Sequence, residues 1–148
     1  MMNCLKKVSI EKNRGKKIVF TNGCFDILHY GHVCLLKQAK ALGDILVVGL
    51  NSDESISRLK GKGRPFFTLE ARLAVLKSIK YVDYVIIFDE DTPISLIKKI
   101  EPDVLVKGGD YEIDDIVGKK EVEDNGGSVQ IISLQKGYST TNIIKGIK

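Results

Sequence analysis

Short apolar runs alternate with amphipathic segments along this chain. Five runs are rich in Val and Ile and are bounded by Gly, Asp or Asn, which is typical of buried strands in parallel sheets. These predicted strands cover residues 18–21, 45–50, 84–88, 104–106 and 129–132. Apolar positions at helical spacing predict helices between them, over residues 33–42, 73–79, 93–100, 114–124 and 139–147.

The ends of these predicted helices carry recognisable start and stop residues. Gly43 and Asp44 end the first helix, and Gly126 and Gly127 end the fourth. Thr92 followed by Pro93 predicts an N-cap and a proline at the first position of the third helix.

Five strands that alternate with five helices indicate a doubly wound five-stranded parallel sheet, an α/β fold of the Rossmann-like kind. Parallel neighbours require crossover connections of about a dozen residues, which helices supply. In such sheets ligands bind outside the carboxyl ends of the strands, where the strand order reverses. The segments that follow the strands are therefore the candidate sites for chemistry.

Composition limits the classes of partner. At 148 residues with 23 Lys and Arg against 19 Asp and Glu, the net charge of +4 is too mild for a nucleic-acid arm but suits small polyanions. No apolar stretch approaches the roughly 20 residues that span a bilayer. Cys4, Cys24 and Cys34 form no CxxC pair, and an odd number of scattered thiols favours a reducing cytoplasm.

The first candidate segment follows the first strand and holds the only two histidines, His29 and His32, around Gly31. The start of a helix offers unpaired amides and a partial positive charge, so it binds phosphate. Gly23 allows a tight turn after the strand, and Gly31 lets a ligand approach the helix. Alternatively, the histidines only cap or pack the helix, or they bind zinc together with a neighbouring cysteine or aspartate, Cys24 or Asp26.

Two further candidate segments are rich in glycine, cations and hydroxyls. Lys60, Lys62 and Arg64 lie on a glycine-punctuated loop that either closes over phosphates or is merely a solvated loop. Gly108 and Gly109 follow the fourth strand and would let a base lie against the backbone. Ser139, Thr140 and Thr141 start the last predicted helix, either as a second phosphate cradle or as a plain N-cap.

Three motifs together carry a family resemblance: Gly23-Cys24-Phe25-Asp26, His29-Tyr30-Gly31-His32 and Tyr138-Ser139-Thr140-Thr141. They resemble the cytidylyltransferase-like nucleotidyltransferases, which share an HxGH signature and a late Ser/Thr motif. Five stretches in order, 20–29, 59–65, 88–93, 105–111 and 137–141, resemble the adenylyltransferases of ADP-heptose synthesis. The resemblance runs from about Gly15 to the C-terminus and implies a short N-terminal arm, 1–16, before a nucleotidyltransferase domain, 17–148.

The resemblance also implies a reaction and a set of roles. AMP passes from ATP to D-glycero-β-D-manno-heptose 1-phosphate by direct in-line attack at the α-phosphate, which yields ADP-heptose and pyrophosphate. Mg²⁺ accompanies ATP, and related enzymes are commonly homodimers. The implied catalytic residues are His29, His32 and Lys62. The implied nucleotide-binding residues are Asn22, Gly23, Cys24, Phe25, Gly31, Lys107, Gly108, Gly109, Asp110, Tyr138, Ser139, Thr140 and Thr141. Lys60, Arg64 and Arg72 are implied for the acceptor's phosphate, Asp26 for orienting its loop, and no residue as a metal ligand.

Two departures from the family pattern bear on the organisation of the chain and on its substrates. Few residues precede the first strand, so the chain resembles a stand-alone enzyme rather than one fused to a sugar kinase. Glycerol-3-phosphate cytidylyltransferases have an arginine before the late Ser/Thr motif, whereas this chain has Leu134-Gln135-Lys136. This favours ATP over CTP. The alternatives are a CTP-dependent glycerol-3-phosphate cytidylyltransferase, or a nucleotide- or metal-binding module without turnover.

Overall fold

One all-parallel sheet forms the centre of the molecule, a computed structural model that describes residues 2–146. Its strands are β1 (Ile18–Gly23), β2 (Ile45–Asn51), β3 (Tyr84–Phe88), β4 (Val104–Gly108) and β5 (Ser128–Ile132). They lie in the order β3-β2-β1-β4-β5, so the direction of winding reverses between β1 and β4. The predicted doubly wound five-stranded parallel sheet is confirmed.

Seven α-helices surround this sheet within residues 2–146. They are α1 (Cys4–Asn13), α2 (Tyr30–Lys40), α3 (Asp53–Lys60), α4 (Leu69–Lys77), α5 (Ile94–Ile100), α6 (Lys119–Asp124) and α7 (Thr140–Gly146). The sequence reasoning missed α1 and α3. Their start signals are present, because Asn3 and Ser52 each accept a hydrogen bond from a main-chain amide in the first turn.

Two predicted helices need correction. Pro93 itself occupies the N-cap of α5, and no side chain caps that helix, so the prediction of Thr92 as the cap was wrong. The predicted helix over 114–124 is split into a short 3₁₀ turn, Ile113–Asp115, and α6. Gly118 separates them with a φ of +94°, where an added Cβ would lie 2.5 Å from Ile97. Of the predicted last helix, Ile147 lies outside the described residues.

The two faces of the sheet are buried by different helices. Along β1, Val19 points to a core that includes Leu36 of α2 and Leu76 of α4. Phe20 points to the opposite core, which includes Val8 of α1 and Ile97 of α5. Alternate strand residues thus pack against helices on both sides, as a parallel sheet requires. The carboxyl edge of the sheet stays open between the helices.

Among residues 2–146, no helix has the length and apolar character needed to cross a bilayer.

Candidate active site

A cleft of about 520 Å³ opens at the carboxyl edge of the sheet, where the strand order reverses. Its lining comes from β1, β2 and β4, the starts of α2 and α7, the end of α3, and the loops between them. The cleft brings together eleven of the residues predicted for the site: Asn22, Gly23, Cys24, Phe25, Asp26, His32, Lys60, Arg64, Lys107, Thr140 and Thr141. Segments more than 100 residues apart in sequence therefore meet here.

The other predicted residues do not line the cleft; they are His29, Gly31, Lys62, Arg72, Gly108, Gly109, Asp110, Tyr138 and Ser139. Lys62 is exposed on the loop between Gly61 and Gly63. Ser139 caps α7 by accepting a hydrogen bond from the Asn142 amide at 3.0 Å. Both lie within a few residues of the cleft, on loops.

The glycines serve the packing of the chain more than the approach of a ligand. A Cβ on Gly31 would lie 2.9 Å from the His29 ring and 3.1 Å from Cβ of Tyr138, so those two residues fill the space expected for a ligand. The tight turn predicted at Gly23 is made instead by Phe25, whose φ is +45°. Gly108 faces the side chains of Leu35 and Leu134, and the cleft does not reach it.

The two histidines hold the start of α2 by their Nδ1 atoms. Nδ1 of His29 accepts from the Gly31 amide at 3.1 Å, and Nδ1 of His32 accepts from the His29 amide at 3.2 Å. An imidazole that accepts at Nδ1 carries its proton on Nε2. Each ring therefore keeps an Nε2–H that makes no hydrogen bond to residues 2–146, and His32 lines the cleft.

Both imidazoles are neutral near pH 7. Burial lowers the pKa of His29, and burial together with the neighbouring His29 lowers the pKa of His32 to about 4. The rings lie with their centroids 3.9 Å apart, so two positive charges there would repel each other. The pair is therefore neutral and is not a cationic cluster.

The carboxylate of Asp26 makes its hydrogen bonds to the loop that follows α3. Its carboxylate accepts from Arg64 Nε at 2.7 Å, from the Phe66 amide at 2.9 Å and from the Phe67 amide at 3.1 Å. Burial alone would raise the pKa of Asp26, but the hydrogen bonds from Phe66, Phe67 and Arg64 lower it below its usual value. The carboxylate ties the loop after α3 to the end of β1 and holds Arg64 at the cleft.

Arg72 requires a correction, because it cannot serve the acceptor's phosphate. Its side chain is only 1% exposed and does not line the cleft. Its guanidinium donates to the main-chain oxygens of Cys24 and Asn51, both at 2.8 Å, to Phe67 O at 3.1 Å and to Asp53 at 2.7 Å. Arg72 therefore links the chain at the end of β1 to the end of β2 through these hydrogen bonds.

Three cations line the cleft, in keeping with a polyanionic ligand. Lys60 and Arg64 come from α3 and the loop after it, and Lys107 comes from β4. Burial, and to a lesser degree the charge of Lys60, lowers the pKa of Lys107, while Cys24 has the opposite effect. A bound phosphate would favour the charged form of this lysine.

The sequence reasoning missed six residues that line the cleft: Asn51, Leu59, Asp91, Thr92, Pro93 and Val117. Asn51 ends β2 and Asp91 follows β3, so the rule that ligands bind at carboxyl ends of strands would have found both. Leu59 belongs to the missed helix α3. Leu59, Thr92 and Pro93 lie in the stretches 59–65 and 88–93 that carry the resemblance, but no role in the site was assigned to them.

The zinc alternative finds no support in this geometry. Within residues 2–146, no three His, Cys, Asp or Glu side chains come together in an arrangement that could hold a metal. The Nδ1 atoms of both histidines and the carboxylate of Asp26 are already bonded to the protein.

Comparison with known proteins gives consistent relatives. A family model described as cytidylyltransferase-like matches residues 20–146. Proteins named bifunctional protein HldE are 55% identical in Syntrophotalea carbinolica, 54% in Geobacter sulfurreducens and 55% in Histophilus somni, over 95% of this chain. This chain spans less than a third of the length of these relatives, 29% to 30%.

A solved structure also resembles this chain. The lipopolysaccharide core biosynthesis protein from Thermoplasma volcanium is 35% identical and superposes with a TM-score of 0.67. The match covers 84% of this chain and all of that protein.

Proposed function

Because this chain belongs to the cytidylyltransferase-like family, we propose that it transfers AMP from ATP to D-glycero-β-D-manno-heptose 1-phosphate. The observation that carries the proposal is the cleft in which His32 meets Lys60, Arg64 and Lys107 beside the reversal of strand order. The identity of more than half of the residues to HldE proteins, over nearly the whole chain, supports this choice of substrates.

The reaction requires no covalent enzyme intermediate. An oxygen of the acceptor's phosphate attacks the α-phosphorus of ATP, the bond from that phosphorus to the bridging oxygen breaks, and pyrophosphate leaves with the bond electrons. A phosphate monoester is already ionised near neutral pH, so the attack needs no general base. Catalysis then rests on positioning and on stabilising the charge that grows at the α-phosphate.

The residues divide this work among them. The Nε2–H groups of His29 and His32 would donate to α- and β-phosphate oxygens, with the amides at the start of α2. Lys62 would join them when its loop closes. Lys60 and Arg64 would hold the acceptor's phosphate.

The nucleotide would lie across β1, β4 and the start of α7. This part of the proposal rests on Asn22–Phe25, Lys107 and Thr140–Thr141, which line the cleft. Gly108, Gly109, Asp110, Tyr138 and Ser139 stay predictions for this role. ATP would arrive as its Mg²⁺ complex, since Mg²⁺ is commonly bound by substrate phosphates and water with few protein ligands.

We also propose that the protein forms a homodimer and acts in the cytoplasm. Phe67 and Val75 are exposed large apolar side chains that line one surface pocket, which supports a homodimer. Cys4, Cys24 and Cys34 are free thiols, which supports action in the reducing cytoplasm.

Pyrophosphate release measured over pairs of nucleotide and acceptor tests the proposal. We expect release with ATP and heptose 1-phosphate, at a kcat/KM at least about tenfold above that of any other pair. Release with CTP and glycerol 3-phosphate as the preferred pair would favour the cytidylyltransferase alternative. Binding of ATP without release for any acceptor would favour a module without turnover.

A further inference from the structure

An oriented hydrogen-bond acceptor lies in the cleft among groups suited to phosphate. Asn51 ends β2, is only 4% exposed and lines the cleft. Its side-chain Nδ2 donates to Ser55 Oγ at 2.9 Å, and its main-chain oxygen accepts from Arg72 at 2.8 Å. Its Oδ1 accepts no hydrogen bond from any residue in the described range 2–146. Both backbone and side chain are therefore fixed, with one acceptor atom left over.

The network around Ser55 decides which way this amide faces. Ser55 Oγ donates its single hydrogen to the main-chain oxygen of Glu90 at 3.2 Å. It can therefore only accept from Asn51, so the atom that faces it is the amide nitrogen. Every fully buried side-chain nitrogen and oxygen of the described residues has a partner. The unpartnered Oδ1 must then be reached by solvent, which Asn51 meets at the cleft.

Asp91 supplies a second acceptor from the same hydrogen-bonded framework. Arg58 Nε donates to Asp91 Oδ1 at 3.0 Å, and the same guanidinium bonds the main-chain oxygen of Asp89. Oδ2 of Asp91 has no partner within residues 2–146. The side chain is 64% exposed at the cleft. Asp91 thus sits at the rim, whereas Asn51 lies deeper.

The sheet order separates these acceptors from the groups proposed for the nucleotide. Asn51 in β2 and Asp91 after β3 lie on one side of β1, and Lys107 in β4 and Thr140 after β5 lie on the other. A carboxylate and an amide oxygen repel phosphate oxygens, but they accept hydrogen bonds from hydroxyl groups. Lys60 and Arg64 also come from the connection between β2 and β3, so this side of the cleft suits an acceptor that joins a phosphate to a hydroxyl-rich group.

We propose that Asn51 and Asp91 form a subsite that accepts hydrogen bonds from the sugar hydroxyls of the acceptor. This inference rests on the proposed function, because it assigns the sugar of that acceptor to one side of the cleft. A site built to bond a hydroxyl strongly rejects analogues that lack it, since its own polar groups are then left unpaired. Asn51 is thereby a specificity residue for the sugar.

Steady-state kinetics of Asn51→Leu test the subsite. The substitution keeps the approximate shape of the side chain and removes the acceptor. We expect KM for the sugar 1-phosphate to rise about 10- to 100-fold while KM for ATP changes less than about threefold. Asp91→Ala should show the same selectivity with a smaller rise, because its carboxylate is more exposed. Asn125→Leu, at the end of α6, is the matched control and should leave both KM values unchanged.

Deoxy analogues of the acceptor provide a test that needs no mutation. One of them should lose about tenfold or more in kcat/KM with the unaltered protein, and little further in Asn51→Leu. An equal rise in both KM values, or a rise for ATP alone, would overturn the inference. Transfer by the unaltered protein with an unchanged acceptor KM in Asn51→Leu would overturn the inference alone. Absence of transfer by the unaltered protein would instead contradict the proposed function, and the inference would fall with it.

Discussion

In both His29 and His32, Nδ1 is bonded to the main chain and Nε2–H remains available to a ligand. Both Nδ1 atoms accept main-chain hydrogen bonds at the start of α2. The spacing of the two histidines around Gly31 predicted that they act together, and the sequence left capping and phosphate binding as rival roles. The structure shows that capping uses only Nδ1, so the two roles are compatible in one ring.

Replacing His32 by Asn or by Gln separates those two roles. An Asn oxygen approximates Nδ1, and a Gln amide nitrogen approximates Nε2–H. We expect His32→Asn to fold normally and to lose about 100-fold in kcat, because a transition-state donor is gone. His32→Gln should lose less turnover but more stability. Near-normal turnover in folded His32→Asn would contradict the proposed role.

The pKa of His32 predicts how stability depends on pH. A value of about 4 in the folded chain lies below the ordinary value of 6.5. Between pH 6.5 and pH 4, His32 binds a proton in the unfolded chain but not in the folded chain. The free energy of unfolding therefore falls as pH drops toward 4. This group contributes at most about 1.4 kcal/mol per pH unit.

Denaturant unfolding of the wild type and His32→Asn between pH 7 and pH 4 checks this sign. The difference between their unfolding free energies should narrow or reverse toward low pH, because only the wild type carries this histidine. Parallel curves over that range would contradict a neutral, buried His32.

At the scale of elements, segments with regular apolar spacing were predicted, whereas helices with few buried apolar residues were missed. All five strands were predicted because they are short Val- and Ile-rich runs. Helix α1 was missed because Val8 is its only fully buried residue, which leaves almost no apolar pattern. Helix α3 was missed although Ser52, Asp53 and Gly61 mark its ends.

Val8→Ala tests whether α1 belongs to the core rather than to a loose arm. Val8 is 1% exposed and packs in the same core as Phe20 and Ile97. We expect the free energy of unfolding to fall by about 2 kcal/mol. Ile10→Ala is the matched control, because Ile10 is 37% exposed on the same helix. Equal, small effects of the two variants would show that α1 contributes little.

Helix α4 supports the cleft through Arg72. That role was beyond sequence reasoning, because the partner carbonyl of Cys24 lies 48 residues away and carbonyls leave no trace in a sequence. Arg72→Met would leave three carbonyls, those of Cys24, Asn51 and Phe67, and the carboxylate of Asp53 without this donor. We expect unfolding free energy to fall by about 3 kcal/mol and turnover to fall with it.

The control for Arg72→Met is Arg14→Met, since Arg14 is exposed and pairs with Glu11 only at 3.6 Å. It should change the unfolding free energy by less than about 0.5 kcal/mol. If Arg72→Met lowered the unfolding free energy as little as this control does, the hydrogen bonds of Arg72 between β1 and β2 would contribute little to stability.

At the scale of the whole molecule, the fold and the position of the site were predictable together. A doubly wound sheet has one reversal of strand order, and the motifs after β1, β4 and β5 converge on it. The predicted resemblance to cytidylyltransferase-like proteins is confirmed by the family match and the relatives. The β2–β3 side of the cleft was not predicted, because Asn51 lies outside every stretch that carried the resemblance, and Asp91, in the stretch 88–93, was given no role there.

A competition in one reaction mixture tests the central claim most directly. The protein is given ATP and CTP at equal concentration, together with heptose 1-phosphate and glycerol 3-phosphate, and the products are identified by mass spectrometry. The account predicts ADP-heptose as the dominant product. CDP-glycerol as the dominant product, or no nucleotide-linked product at all, would contradict it.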